Sequence, residues 1–380
     1  MNNDDLRRRA QKALTQFVNR TPEAPAWKGR KIVIYGAGGF GRDLAKALLL
    51  QPNAGILGFL DQNASGQPVY GDLRAYNLES ETAKRWLAKN PVVMIGVYNF
   101  TASLREIKAL LIQFGFSTVL TPMDAYLHLS KELGWRYWMG TPQDYVGAAE
   151  PIEQACALWA DQASERQFLE TLLFRLEFDL ERVASPTGPS FQYADPTLPR
   201  WQEPVRMVDG GAFIGEEFQT LLDHGYQFAA IHAFEPEAVN FKKLLITTLA
   251  FRPETQISLW PCGLWSSTCR MNFSEGAGPA SKFSETGPAL LPVVALDDVL
   301  HGQPINLIKL DIEGAEPEAL RGARRLIEKY RPGLAVCLYH YPHHLWSLPL
   351  WVKGLNLDYR LHFRVHGHNT LETVLYAIPD

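Results

Sequence analysis

Apolar spacing divides the chain into two stretches of strand–helix alternation with a different stretch between them. Positions 6–19 repeat at helical spacing and predict a surface helix. From Lys31 the pattern turns β-like. Lys31-Ile32-Val33-Ile34-Tyr35 enters Gly36-Ala37-Gly38-Gly39-Phe40-Gly41, a helix is expected from Arg42 to Leu50, and the apolar run 55–60 ends at Asp61. Strands at 92–97 and 117–120, with a helix through 101–114, extend this to a parallel sheet covered on both faces. Residues 125–183 lose the alternation and gather aromatics, Trp135, Tyr137 and Trp138 among them. There Ser164-Glu-Arg-Gln reads as a capping box opening a helix with Phe168, Leu172, Leu173 and Leu176 on one stripe. Prolines 186, 189, 196, 199 and 204 follow and predict an extended connector.

The second alternation opens at Val205–Val208 and runs through 228–234, 257–260, 305–308 and 334–338. It closes with 359–365, a Gly367-His368-Asn369 turn and 373–378, a pair that predicts an antiparallel hairpin. Five parallel strands finished by a hairpin give the seven-stranded layout of a large methyltransferase class. The expected fold is therefore α/β with two Rossmann-like, doubly wound domains, the C-terminal one ending in the hairpin. The expected boundaries are a helical lead-in at 1–30, a nucleotide-binding domain at 31–125, a helical and Pro-rich connector at 126–204, and a methyltransferase-type domain at 205–380.

Composition narrows the function. Thirty-seven basic against 41 acidic side chains, net charge -4, speak against a nucleic-acid or anionic-membrane binder, which needs a concentrated positive field. No apolar run reaches the 18 or so residues of a membrane span, and no signal peptide is read. Cys156, Cys262, Cys269 and Cys337 form no CxxC pair, which argues against a zinc site and fits a reducing cytoplasm.

Each alternating stretch carries a glycine turn after its first strand and an acid at the end of its second. Gly36, Gly38 and Gly41 precede Asp61; Gly211, Ala212 and Gly215 precede Glu235. In both, glycine lets backbone approach a ligand and the acid can accept from ribose hydroxyls. The first turn has no acid before it, so its helix N-terminus suits a phosphate and the expected ligand is a nucleotide or nucleotide-sugar. The second is preceded by Asp209, whose carboxylate would repel a pyrophosphate by several kcal/mol at ~4 Å. That loop suits a ligand with an ammonium and a sulfonium, S-adenosylmethionine.

Five motifs carry a resemblance. They are Val208-Asp209-x-Gly211-Ala212-x-Ile214-Gly215, Ala233-Phe234-Glu235-Pro236, Leu296-Asp297-Asp298, Lys309-Leu310-Asp311-Ile312-Glu313-Gly314-Ala315-Glu316 and Leu320-Arg321-Gly322-Ala323. In this order, over about 205–380, they resemble the FkbM family of S-adenosylmethionine-dependent methyltransferases. The resemblance implies cofactor contacts at Asp209, Gly211, Ala212, Gly215 and Glu235, and O-methylation of a sugar, polysaccharide-precursor or polyketide-like hydroxyl. Gly210 replaces a bulkier residue of many members. Cys337-Leu338-Tyr339-His340 lacks the Glu that many carry before the His, so a role for that Glu does not transfer. Residues 31–120 more loosely resemble the nucleotide-binding front domain of sugar-modifying enzymes.

Ligands of open parallel sheets bind beyond the carboxyl ends of the strands, which selects Asp311, Glu313 and His340 as catalytic candidates. Lys309, Asp311 and Glu313 alternate with apolar residues and are expected on one side, either as a base or metal ligand or as a Lys–Asp pair with Glu313 capping the next helix. No three-ligand metal spacing is read. His362, His366, Arg360 and Arg364 share a strand face expected to be solvated, and Ser274–Pro288 reads as a lid or a surface excursion. The acceptor expected is a small molecule or glycan. The open alternatives are a nucleotide-sugar or NAD-dependent enzyme served by the first domain, and a non-catalytic cofactor binder.

Overall fold

The computed structural model describes residues 2–21, 23–52, 54–249, 251, 254–274, 282–283 and 289–380. The chain divides into two compact units. One comprises Met1–Ala149, Leu169–Pro186 and Gly367–Leu371; the other comprises Glu150–Phe168, Thr187–His366 and Glu372–Asp380.

In the first unit, helix α1 (Asn3–Val18) precedes β1 (Lys31–Tyr35), α2 (Gly39–Leu49), β2 (Gly55–Leu60), β3 (Ser65–Tyr70), β4 (Leu73–Tyr76), α3 (Glu81–Leu87), β5 (Val92–Ile95), α4 (Leu104–Gln113), β6 (Thr118–Leu120) and α5 (Pro122–Leu133). The sheet order is β3-β4-β2-β1-β5-β6, parallel except for the antiparallel edge pair β3–β4. That edge was absent from the expected sheet. Its strands are short, contain Gly66 and Pro68, and bury little, so they leave no alternating pattern to read. Helix α2 starts inside the glycine motif with Gly38 as its cap, earlier than the periodicity indicates. Trp138 and Tyr145 lie in this unit's core, whereas Trp135 and Tyr137 are half-buried.

Helix α6 (Ala149–Cys156) and α7 (Gln162–Glu177) follow. The latter starts at Gln162, not Ser164: Asp161 Oδ1 accepts the Ser164 amide at 2.7 Å and does the capping. The Ser164 hydroxyl instead donates to Asp161 and accepts from the Phe363 amide and Arg364.

The second unit contains β7 (Val205–Gly210), α8 (Glu216–Asp223), β8 (Phe228–Phe234), α9 (Ala238–Thr248), β9 (Gln256–Trp260), β10 (Gly263–Leu264), β11 (Cys269–Ser274), β12 (Lys282–Phe283), β13 (Ala289–Val294), α10 (Leu296–Val299), β14 (Leu307–Leu310), α11 (Glu316–Gly322), α12 (Arg324–Tyr330), β15 (Gly333–Cys337), α13 (His344–Lys353), β16 (Tyr359–Val365) and β17 (Thr373–Pro379). Its main sheet has the order β16-β17-β15-β14-β7-β8-β9, five parallel strands closed by the antiparallel β16–β17 pair. The central strands are buried on both faces, which is why they read as continuous apolar runs. Strand order reverses between β7 and β14, and the crevice there is where such sheets hold ligands. A second sheet, β10-β13-β11-β12, was not expected. The expected lid at Ser274–Pro288 lies outside the described residues apart from Ser274 and Lys282–Phe283.

The polar face of β16 is not solvated, contrary to expectation. His362, Arg364 and His366 are buried, and only Arg360 is exposed. His362 Nδ1 lies 2.5 Å from Asp161 Oδ2, and Arg364 reaches Ser164 and Thr197. His366 sits between the hydroxyls of Thr187 and Tyr376, and burial lowers its pKa to about 4, leaving a neutral ring. These polar groups are buried because the segment before β7 and the start of α7 supply partners for them. Asp297 accepts the Arg325 and Leu326 amides at the start of α12 and caps that helix.

Candidate functional site

Two glycine loops of similar construction follow β1 and β7. In the first, Gly36 and Gly41 are buried and Gly38 is exposed, and a Cβ at Gly41 would overlap the Gly36 carbonyl, so only glycine lets α2 pack this close. Asp61 Oδ2 accepts the Ala37 amide at 3.0 Å. In the second, the Gly211 and Ala212 amides donate to the Phe234 carbonyl. Gly211 has φ +72° and a Cβ there would run into the backbone oxygen of Asp311, so the loop meets the end of β14 only with glycine. Glu235 Oε2 accepts the Phe213 amide at 2.9 Å, and Oε1 accepts the Glu237 amide at 2.8 Å. Each strand-end acid thus latches back onto its own loop. Gly215 takes a left-handed φ at the start of α8.

Asp209 departs from expectation. Its side chain is fully buried, and Oδ1 pairs with Lys309 Nζ at 2.9 Å. Asp209 and Lys309 are register partners on adjacent parallel strands, so their side chains emerge side by side. Lys309 also donates to the Gly211 carbonyl at 2.8 Å and lies 3.7 Å from Glu217. The carboxylate expected to meet a cationic ligand is therefore already neutralised by a neighbour. The ion pair read within the Lys309–Glu313 motif exists, but its acid is Asp209, on the adjacent strand.

The three catalytic candidates come together. His340 Nε2 lies 3.3 Å from Asp311 Oδ1 and 3.6 Å from Glu313 Oε2, and Nδ1 lies 2.9 Å from Glu316 Oε1. Glu313 has φ +54°, a costly conformation for a side-chain-bearing residue, which turns it out of the strand alternation. Glu316, not Glu313, closes the turn before α11 by accepting the Ile312 amide at 2.9 Å. Tyr339 and Tyr193 donate to the two Asp311 oxygens at 3.0 and 3.4 Å, and Gln192 donates to Glu372 at 2.8 Å.

Negative charge is in excess here. Burial raises Glu313 to about 8 despite His340, and it raises Glu217 and Glu372 to about 7. At the edge of the glycine loop it raises Glu235 to about 7 as well. His340 is opposed by burial, but Glu316 and Glu313 hold it protonated, at about 10. Burial likewise opposes Glu316, which His340 brings down to about 2. Ligand atoms of Asp311, Glu316 and His340 lie within 4.8 Å of one another. With His340 protonated the arrangement holds a proton among these acids, and with its ring neutral the three side chains would offer ligand atoms to a cation. His340 is 0 % exposed, whereas the Asp311 and Glu313 side chains are 20 % and 15 % exposed. Of the three candidates, the two acids reach the surface of the cluster and His340 lies behind them.

Sequence reasoning missed Glu217, Tyr193 and Glu372, which come from a helix, the proline-rich segment and the hairpin. No local spacing links them to Asp311. Glu316 stood within a quoted motif, but its role depends on the turn that brings it under His340.

Residues 209–361 match the family model described as the methyltransferase FkbM domain. The chain carries a methyltransferase FkbM domain. Residues 31–99 match the PglD N-terminal domain, so the likeness of the front portion to sugar-modifying enzymes also has its counterpart. Among solved structures the chain is similar to the methyltransferase FkbM from Methylobacillus flagellatus KT, with 22 % identity, 99 % of each chain covered and a TM-score of 0.74. No curated protein matches the chain. The FkbM domain contains both the glycine loop after β7 and the acidic cluster after β14. Among the described residues, no helix is long and apolar enough to cross a membrane.

Proposed function

We propose that this protein is an S-adenosylmethionine-dependent O-methyltransferase acting on a hydroxyl of a sugar, polysaccharide precursor or similar metabolite, with its working domains at 31–125 and 205–380. The observation that carries the reading is the crowd of carboxyls around one lysine and one imidazolium at the β7–β14 crevice. Glu217, Glu313 and Glu372 hold protons near neutrality there because burial disfavours their charged forms and neighbouring acids add to the effect, more than Lys309 and His340 offset. A cationic ligand supplies what is missing. The donor would lie against the loop of Gly211, Ala212 and Gly215, and Glu235 at the loop's edge would accept its ribose hydroxyls. The buried Asp209–Lys309 pair fixes the loop, and Asp209 would act on the donor through Lys309 and the Gly211 backbone.

S-adenosylmethionine supplies, when bound, an electrophilic methyl on a sulfonium. The chain's part is alignment and proton removal, since a sugar hydroxyl is a poor nucleophile while protonated. Asp311, held by Tyr339 and Tyr193, and Glu313, held beside His340, are the carboxylates placed to take that proton. His340 and Glu316 keep both acids oriented. We further propose that Gly36, Gly38, Gly41 and Asp61 hold a nucleotide or nucleotide-sugar, a reading supported by the PglD N-terminal match.

Calorimetry of the full chain tests the donor site: S-adenosylhomocysteine should bind, and Glu235→Ala should weaken it at least tenfold. Methyl transfer to an accepted sugar should fall about 10²–10⁴-fold in Asp311→Asn, the usual weight of a positioned base. Absence of S-adenosylhomocysteine binding to the unaltered protein would sink the reading.

A further inference from the structure

A cavity of about 460 Å³ adjoins the acidic cluster inside the FkbM domain. Its lining includes Gly314, next to Glu313, and Tyr341, next to His340, so it shares two loops with the proposed bases. Both loops leave the carboxyl ends of parallel strands, β14 and β15, where ligands of such sheets bind.

The aromatic wall is fixed in place. Gly314 has φ +99°, and the Tyr341 ring lies so close over it that a Cβ would collide with the ring. His343 stacks against Tyr341 with centroids 5.7 Å apart and planes at 30°, and His344 meets it edge-on at 5.2 Å. His344 Nδ1 is 3.4 Å from Glu316 Oε2, so the acid that orients His340 also holds this wall. Trp265 and Trp351 complete the aromatic lining, and like Tyr341 they are only partly buried.

The two residues of fixed charge in the lining face each other. The guanidinium of Arg321 pairs with Glu318 one helical turn away, and Ser347 adds a hydroxyl. Flat apolar faces with a charge-compensated carboxylate–guanidinium pair at the side match a pyranose, which has C–H faces and an equatorial belt of hydroxyls. An anionic group would find its cation already engaged.

We propose that this cavity is the acceptor subsite and that it takes a neutral pyranose ring, one hydroxyl directed toward Asp311 and Glu313. The proposal rests on the methyltransferase reading above and adds to it the chemistry of the acceptor.

Saturation-transfer NMR on the full chain, with S-adenosylhomocysteine present, tests it with methyl gluco-, galacto-, manno- and rhamnopyranosides. Transfer to ring protons of at least one is expected, and it should fall at least fivefold in both Trp265→Ala and Trp351→Ala. Calorimetric affinity for S-adenosylhomocysteine should change less than twofold in the same variants, which shows that they fold and that the donor site is separate. Glucose 1-phosphate should bind no better than methyl glucoside. Transfer to none of the four pyranosides, or transfer unchanged in both tryptophan variants, overturns the subsite while donor binding still supports methyl transfer. A tenfold preference for the phosphate overturns the neutral-ligand assignment. Failure of S-adenosylhomocysteine to bind the unaltered protein counts against the methyltransferase reading, and saturation transfer without it then judges the cavity on its own.

Discussion

Lys309 ties the glycine loop to the helix that follows it, although sequence reasoning gave it no chemistry of its own. Its ammonium meets Asp209, the Gly211 carbonyl and Glu217 in an enclosed setting. Removing one partner of a buried pair strands the other charge, so Lys309→Met should lower unfolding free energy by about 3–5 kcal/mol in urea titration. The double variant with Asp209→Leu should regain much of that loss. The carboxyls nearby make a second prediction. Their folded pKa values are raised, so any stability they contribute is present below about 4.5 and is lost as pH rises through 7 and 8. A cation that favours their ionised forms expels protons on binding. Affinity for S-adenosylmethionine should therefore rise between pH 6 and 8.5, by about tenfold for each pH unit over which one proton is released. Affinity for S-adenosylhomocysteine, which lacks the sulfonium, should rise less when measured by calorimetry in the same buffers.

At the scale of elements, the strands that fill the two sheet centres were legible because burial on both faces enforces unbroken β-branched and apolar runs. The hairpin order was legible from a short polar turn. The edge strands β3 and β4, the small sheet β10–β13 and the buried face of β16 were not. Edge positions need no alternation, and polar residues on a strand look solvated until their partners are known. Asp161 shows why: it lies far from β16 in sequence, yet it receives Ser164, His362 and Arg364. Hydrogen bonding to His362 and Ser164 outweighs partial burial and lowers its pKa to about 2. A depressed carboxyl contributes stability above its unfolded value near 4, and that stability is lost as pH falls toward 2. Asp161→Ala should thus destabilise by about 1–2 kcal/mol at pH 7, the weight of a helix cap with side-chain partners, and by little at pH 2 in thermal melts. The acidic cluster was half legible. Asp311, Glu313 and His340 follow from strand ends, whereas the duties of Asp209 and Glu316 depend on register and on a turn.

For the molecule as a whole, the route of the chain has a consequence for dissection. The first unit includes Gly367–Leu371, contributed by the connection between the last two strands of the other unit's sheet. Asn369 donates to the backbone carbonyls of Asn99 and Ala102 and accepts from the Leu104 amide and the Trp138 indole, while Arg175 reaches Thr370. A fragment ending at residue 186 loses all of these and should melt at least 10 °C below the intact protein, as followed by circular dichroism. No single cut in the backbone can yield either body entire, so shuffling the first unit onto a different protein would mean carrying over three stretches, 1–149, 169–186 and a five-residue passenger at 367–371, through five splice junctions.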